Sequence, residues 1–186
     1  MTQTMPRQTH APRCNKTPSR HLLTKVLVTV AATLTLSAFA TDPPASEARH
    51  GRISPHAQTV TTVADQLWEW AELGYLETQS SGLLQTTLAN AGFEIDSGVG
   101  GIPTAFTATF GNGEPVIGIM GEFDALPGIS QAAVPYAETL EGKPRGHACG
   151  HNLFGAGSLG AALAVKDWLQ DTGKPGTVRF YGTPAE

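Results

Sequence analysis

The chain has 186 residues, enough for one domain with a hydrophobic core, and 40% of them are hydrophobic. Its formal net charge is -4. No basic patch of the kind that binds nucleic acid stands out, so the composition argues against a nucleic-acid-binding protein.

The first 40 residues have the pattern of a secretory signal peptide. Five basic residues and no acidic ones precede an apolar run, Val26 to Ala40, which ends in the small-x-small sequence Ala38-Phe39-Ala40. An uncleaved membrane anchor is the alternative, but a bilayer needs roughly 20 apolar residues and this run has 15. We therefore expect cleavage after Ala40, export to the periplasm or the medium, and no stable membrane insertion afterwards.

Cleavage would change both the charge and the cysteine content. The mature chain would keep seven Lys and Arg residues against 16 Asp and Glu, a net charge near -9, which again argues against nucleic acid. Cys14 would be lost and Cys149 alone would remain, so no internal disulfide is expected. A single cysteine between two histidines favours a metal ligand or a nucleophile.

Beyond the leader, the sequence predicts a linker and then two helices. Residues 41–54 are polar and contain prolines, which is typical of a linker, and the domain is expected to span residues 55–186. One helix is predicted from apolar residues at helical spacing, with Gly74 as its stop: Val60, Val63, Ala64, Leu67, Trp68 and Ala71. A second helix is predicted from Ser80 or Ser81, as its cap, to Ala91, with Gly92 ending it.

Strand patterns follow. Thr104 to Phe110 alternates and is rich in Thr and Phe, whereas Pro115 to Met120 is a continuous apolar run, as expected of a strand buried on both faces. A helix is predicted from about Asn152 to Gln170, and a further strand from Thr177 to Gly182. This order of strand, helix and strand predicts an α/β domain with a largely parallel sheet.

A GxGxxG string from Gly155 to Gly160 suggests a dinucleotide site, but its context argues against one. That fingerprint needs an apolar strand directly before the first glycine, and here the preceding residues are "GHACGHNLF". The string also lacks the GxSxG of a serine hydrolase, because Ala156 stands two residues before Ser158. We expect the small residues to let this helix pack closely on the sheet.

Just before that helix, His147, Cys149 and His151 occupy every second position. In an extended segment such residues point the same way, whereas on a helix they would not. A thiolate and imidazoles suit zinc or a similar transition metal. The alternative is a polar turn that contains one buried cysteine.

Acidic residues follow two of the predicted strands. Glu122 and Asp124 come directly after the apolar strand, and Glu186 follows the last one. Sites in parallel sheets form outside the carboxyl ends of the strands, so these carboxylates and the His/Cys loop are expected at one edge. The pattern favours a metal-assisted hydrolase. Each carboxylate taken singly could instead be a solvated loop residue.

The motifs "GEFDALPG", "GHACGHN" and "GTPAE", in this order and spacing, resemble the M20 family of metallopeptidases and amidohydrolases. The resemblance is greatest to the branch that includes the p-aminobenzoyl-glutamate hydrolase B subunit, whose first helical hairpin is similar to "WEWAELGYLETQSS". It covers roughly residues 55–186. It implies a three-layer αβα zinc-exopeptidase-like catalytic domain with a mostly parallel sheet.

The resemblance also implies roles for individual residues. Cys149 and His151 match the branch's metal-ligand pair, Asp124 matches the acid that orients or supports the site, and Glu186 matches the general base. Glu122 stands where other branches have a ligand histidine. Asn152 stands where many relatives have aspartate.

The family's second glutamate, its later histidine ligands and its lid or dimerisation domain have no counterpart in these 186 residues. We therefore expect an N-terminal fragment that by itself binds metal weakly and does not catalyse. For the full-length protein we expect an amidohydrolase with Zn or Mn, two ions in all, acting as a homo- or hetero-dimer. Its substrates would be N-acyl amino acids, aminobenzoyl-glutamate or dipeptides.

Two alternatives remain open at this stage. One is an exported binding protein that kept the fold and lost catalysis. The other is a cysteine-dependent enzyme that uses Cys149 with His147 or His151.

Overall fold

The computed structural model describes residues 45–186, which lie within one compact unit, Pro43–Glu186. The predicted signal peptide, its cleavage site after Ala40 and the first residues of the predicted linker lie outside the described residues. None of the helices in this described part is long and apolar enough to cross a membrane.

The described residues form four helices and six strands. The helices are α1 (Ala45–Ile53), α2 (Ala57–Trp70), α3 (Thr78–Asn90) and α4 (His151–Thr172), with a 3-10 turn at Ser54–His56. The strands are β1 (Glu94–Ser97), β2 (Phe106–Asn112), β3 (Val116–Glu122), β4 (Leu126–Pro127), β5 (Arg145–Gly146) and β6 (Gly176–Thr183).

Four strands form one mixed sheet in the order β1-β2-β6-β3, and β4 and β5 form a separate two-stranded ribbon. β6 runs parallel to β3 and antiparallel to β2, which is also antiparallel to β1. A mostly parallel sheet was expected, but among the pairings between strands in the described residues only β3–β6 is parallel. The reason is the connections: a short loop joins β1 to β2, whereas the path from β3 to β6 contains α4 and allows a parallel crossover.

The core lies between one face of the sheet and the helices. Helices α2, α3 and α4 contribute apolar side chains to it, and β2 and β6 contribute the facing ones: Val63, Leu67, Leu84, Leu88, Leu159, Leu163, Phe106, Ala108, Val178 and Phe180. This arrangement confirms the α/β class, with a sheet and packed helices. Within residues 45–186, the helices that contact the sheet pack on this one face. The described residues therefore include one of the two helical layers that a three-layer domain has.

The prediction that the apolar strand is buried on both faces is wrong for the described chain. β3 lies at the edge of the sheet, and Val116, Ile117 and Met120 are about half exposed, at 46%, 52% and 52%. A continuous apolar run identifies a strand that can be buried on both faces, but it does not say what covers those faces.

The predicted linker over residues 41–54 is helical from Ala45 onward. Ala, Glu and Arg in "ASEARHGRI" favour a helix, and α1 packs against α4. At its end, Arg52 Nη1 lies 2.8 Å from Asp171 Oδ2 of α4. The polar composition therefore reflects an exposed helix on the surface of the domain rather than an irregular connection.

Helix α2 ends earlier than the expected stop at Gly74. Its last residue is Trp70, and Ala71 adopts the left-handed conformation, with φ 43°, while its N–H donates to the Leu67 carbonyl. Gly74 has a different structural role. A Cβ added there would lie 2.9 Å from the Cβ of Ala185, so only glycine permits this close approach.

Helix α3 begins at Thr78, so Ser80 and Ser81 lie inside it and are not its cap. The carboxylate of Glu72 caps the helix from outside. It accepts hydrogen bonds from the backbone N–H groups of Gln79 (3.1 Å) and Ser80 (2.8 Å), which have no partner within the first turn.

The glycine-rich start of α4 serves packing, as expected. A Cβ at Gly155 would lie 2.6 Å from the carbonyl oxygen of Glu122, the last residue of β3, and one at Gly160 would lie 2.6 Å from Val60 Cγ2. Gly157, by contrast, has open space around it. The two tight glycines allow α4 to approach both the sheet and α2.

Candidate metal centre

The predicted site residues lie at the ends of three elements. Glu122 is the last residue of β3, Asp124 follows it by two residues, and His151 is the first residue of α4. Glu122 is also the register partner of Thr183, the last residue of β6, and Glu186 lies three residues beyond Thr183. Because β3 and β6 are parallel, both acidic segments lie at the same end of the sheet, where these two strands finish.

His151 lies between the carboxylates of Glu122 and Asp124. Its Nδ1 is 2.9 Å from Asp124 Oδ1 and 3.1 Å from the Asp124 carbonyl oxygen, and its Nε2 is 2.8 Å from Glu122 Oε2. Asp124 and His151 are buried, whereas the Glu122 side chain is partly exposed. The structure thus brings Glu122, Asp124 and His151 together.

This arrangement suits a metal-ligating imidazole. When Nδ1 carries the ring proton, it donates to the buried carboxylate of Asp124. Nε2 and Glu122 Oε2, 2.8 Å apart, are then two acceptors, and a proton or a cation must lie between them. Histidines that bind metals are commonly oriented in this way, with the second ring nitrogen held by a carboxylate. An imidazole nitrogen beside a carboxylate oxygen is a donor set that fits Zn²⁺ or Mn²⁺.

Cys149 lies apart from the buried residues, because the His/Cys loop is a turn and not an extended segment. The Gly150 N–H donates to the His147 carbonyl at 3.1 Å, and Gly150 itself is left-handed, with φ 77°. His147 is therefore buried while Cys149 is exposed. This corrects both the expected alternation and the alternative of a buried cysteine.

Within residues 45–186, no three His, Cys, Asp or Glu side chains form a ready-made metal-binding group. In the Glu122–Asp124–His151 cluster, Asp124 contacts His151 Nδ1, so the donor atoms that face each other are His151 Nε2 and Glu122 Oε2. Cys149, two residues before His151 in the chain, is a free thiol exposed to solvent.

His147 anchors the loop to helix α2. Its ring stacks on Trp68, with centroids 6.5 Å apart, and its Nε2 lies 2.9 Å from the Leu67 carbonyl oxygen, to which it can donate. Burial and the neighbouring His151 lower the pKa of His147, outweighing the Leu67 carbonyl and Asp124, which raise it. Nδ1 is buried without a hydrogen-bond partner among the described residues.

Asn152 contacts helix α2 and is not part of the Glu122–Asp124–His151 cluster. It is buried, and its Nδ2 donates to the Ala64 carbonyl oxygen of α2 at 3.3 Å. A carboxylate at this position would have no proton to donate to that carbonyl. The amide therefore suits the contact between α4 and α2 in this chain.

Sequence reasoning did not identify two buried glutamates in the segment between α2 and α3. Glu72 is 8% exposed and caps α3, and its backbone carbonyl accepts the Ala125 N–H at 2.7 Å. Glu77 is fully buried and accepts hydrogen bonds from Thr104 and Ala185. Their presence in "AELGYLETQSS", which resembles the family hairpin, was the available signal, but nothing in the local pattern predicts their burial.

Comparison with known proteins identifies the family. The model of peptidase family M20/M25/M40 matches residues 118–186. The chain is 46% identical to the p-aminobenzoyl-glutamate hydrolase B subunit of Escherichia coli over 135 residues, which are 72% of this chain and 28% of that protein. It is 33% identical to an N-acetylcysteine deacetylase of Bacillus subtilis, over 64% of this chain and 31% of the relative.

Among solved structures, a dinuclear metal-binding peptidase of the M20 family from Bacillus subtilis superposes with a TM-score of 0.57 and 29% identity. That match covers 76% of this chain and 37% of the solved one. The chain spans about 28% and 31% of the lengths of the two curated relatives named above. The chain belongs to peptidase family M20/M25/M40.

Proposed function

We propose that this chain provides part of the centre of a metal-dependent amidohydrolase. The observation that carries the proposal is the imidazole of His151, held at Nδ1 by Asp124 and facing Glu122 with Nε2. A buried carboxylate that fixes a histidine is the usual surrounding of a catalytic metal ligand. Membership of a peptidase family supports hydrolysis of an amide bond.

His151 Nε2, Glu122 and exposed Cys149 would hold the cation, which we propose to be Zn²⁺ or Mn²⁺, with two ions in the full-length protein. A bound divalent cation would supply Lewis-acid activation of the substrate carbonyl and of water. The donor chemistry supports this assignment, as does the dinuclear metal binding named for the related Bacillus subtilis peptidase.

The carboxylates have separate roles in the proposal. Asp124 is a positioning residue, because it is buried and contacts His151 rather than the open edge of the site. Glu186 is exposed at the carboxyl end of β6 and is the general base: it accepts a proton from the attacking water and passes it to the leaving amine.

The proposed substrates are small amides of amino acids: N-acyl amino acids, aminobenzoyl-glutamate or dipeptides. The names of the relatives support this class, because one hydrolyses p-aminobenzoyl-glutamate and another deacetylates N-acetylcysteine. The word "subunit" in the first name supports a dimer, either of two copies or of two different chains.

We further infer that the protein is exported, on the basis of the basic, then apolar, then small-x-small pattern of residues 1–40. Amino-terminal sequencing of the mature protein from its native host should begin at Thr41. A mature protein that still begins within the first 25 residues would contradict cleavage.

The activity is tested with the complete protein encoded by the gene, assayed for release of free amine from the three substrate classes. We expect turnover that a chelator abolishes and that Zn²⁺ or Mn²⁺ restores. Turnover that resists the chelator but is lost on thiol alkylation would contradict the proposal and favour the cysteine-dependent alternative. A protein that binds the amides without any turnover would favour the non-catalytic binding protein.

A further inference from the structure

The carboxylate of Glu77 is buried in the segment between α2 and α3, with no exposed surface. Burying a carboxylate is costly unless both oxygens accept hydrogen bonds. Both do so here. Oε2 accepts from the Thr104 hydroxyl at 2.9 Å, and Oε1 accepts from the backbone N–H of Ala185 at 3.0 Å. Glu77 therefore connects the α2–α3 segment to the residue that precedes Glu186.

Ala185 has an uncommon backbone conformation, with φ 60° in the left-handed region. Residues other than glycine rarely adopt it, and they keep it only where their surroundings enforce it. Two contacts do so at Ala185. Glu77 accepts its N–H, and Gly74 leaves the space for its Cβ, since a Cβ on Gly74 would lie 2.9 Å away.

The same segment also contacts the other side of the site. The carbonyl of Glu72 accepts the N–H of Ala125, next to Asp124, at 2.7 Å, and Leu73 forms a parallel bridge with Ala125. Residues 72–77 thus contact both the loop after β3 and the segment after β6. The segment therefore links the residue next to Asp124 with the residue next to Glu186.

We propose that Glu77 and Gly74 are positioning residues that hold Ala185 in its left-handed conformation and thereby direct the side chain of Glu186. The backbone dihedrals of Ala185 determine the direction in which residue 186 leaves β6, so the two contacts act on Glu186 through Ala185. This inference rests on the proposed role of Glu186 as general base.

The test compares five variants of the complete protein, one of which, Glu186→Gln, removes the proposed general base. Glu77→Ala removes the acceptor of the Ala185 N–H. Glu77→Gln preserves the geometry, because its side-chain carbonyl accepts that N–H and its amide donates to Thr104. Gly74→Ala places a Cβ 2.9 Å from that of Ala185, while Glu77 Oε1 lies at an ordinary contact distance of 3.8 Å, so it displaces Ala185 and leaves the Glu77 side chain itself unchanged. Gly82→Ala is the matched control, because Gly82 lies in α3 with nothing within 4 Å of an added Cβ.

Misplacing a catalytic group by about 1 Å can cost on the order of 100-fold in rate. We therefore expect kcat to fall about 10- to 100-fold in Glu77→Ala and Gly74→Ala, with KM changed less than about twofold. Glu77→Gln and Gly82→Ala should keep kcat within about threefold of the wild type, since neither one disturbs Ala185.

A second readout does not depend on activity. Hydrogen exchange of the Ala185 amide, followed by NMR in the 186-residue chain, should be faster in Glu77→Ala and close to wild type in Glu77→Gln. If Glu77→Ala fails to fold, the exchange measurement on Gly74→Ala replaces it.

Unchanged kcat in Glu77→Ala and Gly74→Ala, in an enzyme that Glu186→Gln inactivates, would overturn the positioning role and leave the proposed function intact. An equal loss in Glu77→Gln and Glu77→Ala would also overturn it, because Gln keeps the hydrogen bond. Full turnover of Glu186→Gln would instead refute the proposed function and this role with it.

Discussion

The imidazole Nδ1 of His151 lies 2.9 Å from the Oδ1 of Asp124, a buried carboxylate 27 positions earlier in the chain. This contact joins the loop after β3 to the first turn of α4. The close approach is possible because Gly155, one turn further along α4, packs directly on the carbonyl of Glu122. Packing of the helix on the strand end thus brings His151 within reach of Asp124, whose carboxylate orients the ring.

The first prediction concerns the support of His151 by Asp124. Asp124→Asn keeps the size of the side chain but replaces a charge-assisted hydrogen bond with a weaker neutral one. We expect Zn²⁺ affinity to fall about tenfold or more, measured by competition with a chromogenic chelator. Asp96→Asn, an exposed change in β1, is the control. Equal affinity in the wild type and Asp124→Asn would contradict the positioning role of Asp124.

The second prediction concerns Cys149, whose exposure makes it accessible to reagents. In a chain that carries Cys14→Ser, so that one thiol remains, we expect Cys149 to react readily with a thiol reagent in the absence of metal. Saturating Zn²⁺ should slow the reaction, because a bound thiolate is a poor nucleophile. His151→Ala should remove the protection. Identical rates with and without Zn²⁺ would exclude Cys149 as a ligand.

A third prediction follows from the glycines of α4. Gly155→Ala places a Cβ 2.6 Å from the Glu122 carbonyl, so we expect a loss of about 1–3 kcal/mol in the free energy of unfolding. Gly157→Ala meets no neighbour and should stabilise the helix by up to about 1 kcal/mol. Urea unfolding followed by tryptophan fluorescence measures both. Similar effects of the two substitutions would show that α4 does not pack on β3 as closely as described.

The fourth prediction concerns the pH dependence of stability at Glu72. Burial raises the pKa of this carboxyl, but hydrogen bonds from Ser80 and Gln79 together outweigh it and hold the pKa below its usual value of 4.5. A lowered folded-state pKa stabilises the protein above pH 4.5, and this contribution is lost as the pH falls through the folded-state value.

Glu72→Gln should therefore be less stable than the wild type at pH 7, and the difference should shrink as the pH falls below 4.5. Urea unfolding of both proteins at several pH values measures it. Glu94→Gln, at an exposed position of β1, is the control. A difference in stability that does not change with pH would contradict the account of the Glu72 hydrogen bonds.

Local patterns in the sequence were sufficient to predict the principal elements but not their partners. The 3.6-residue spacing of apolar residues indicated α2, and an alternating and a continuous apolar run indicated β2 and β3. The antiparallel β2–β6 pairing and the exposure of β3 were not predictable in this way, because pairing and burial depend on residues far away in the chain. Helix α1 was missed because its polar composition also suits a linker.

The candidate site was predictable to a similar extent. The close contacts of His151 with Glu122 and Asp124 agree with the rule that sites form at the carboxyl ends of strands. The exposure of Cys149 was not predicted, because it depends on the left-handed turn at Gly150. Glu77 was missed because its partner, Ala185, lies 108 positions away.

Glu186 is the proposed general base of a metal-dependent amide hydrolysis. The most direct test of this role measures, in the complete protein, turnover of an amide substrate and metal content for the wild type and Glu186→Gln. We predict a loss in kcat of about 100- to 10,000-fold with an unchanged metal content, since the amide cannot act as a base. Turnover at the wild-type rate in Glu186→Gln, with metal bound, would contradict the account.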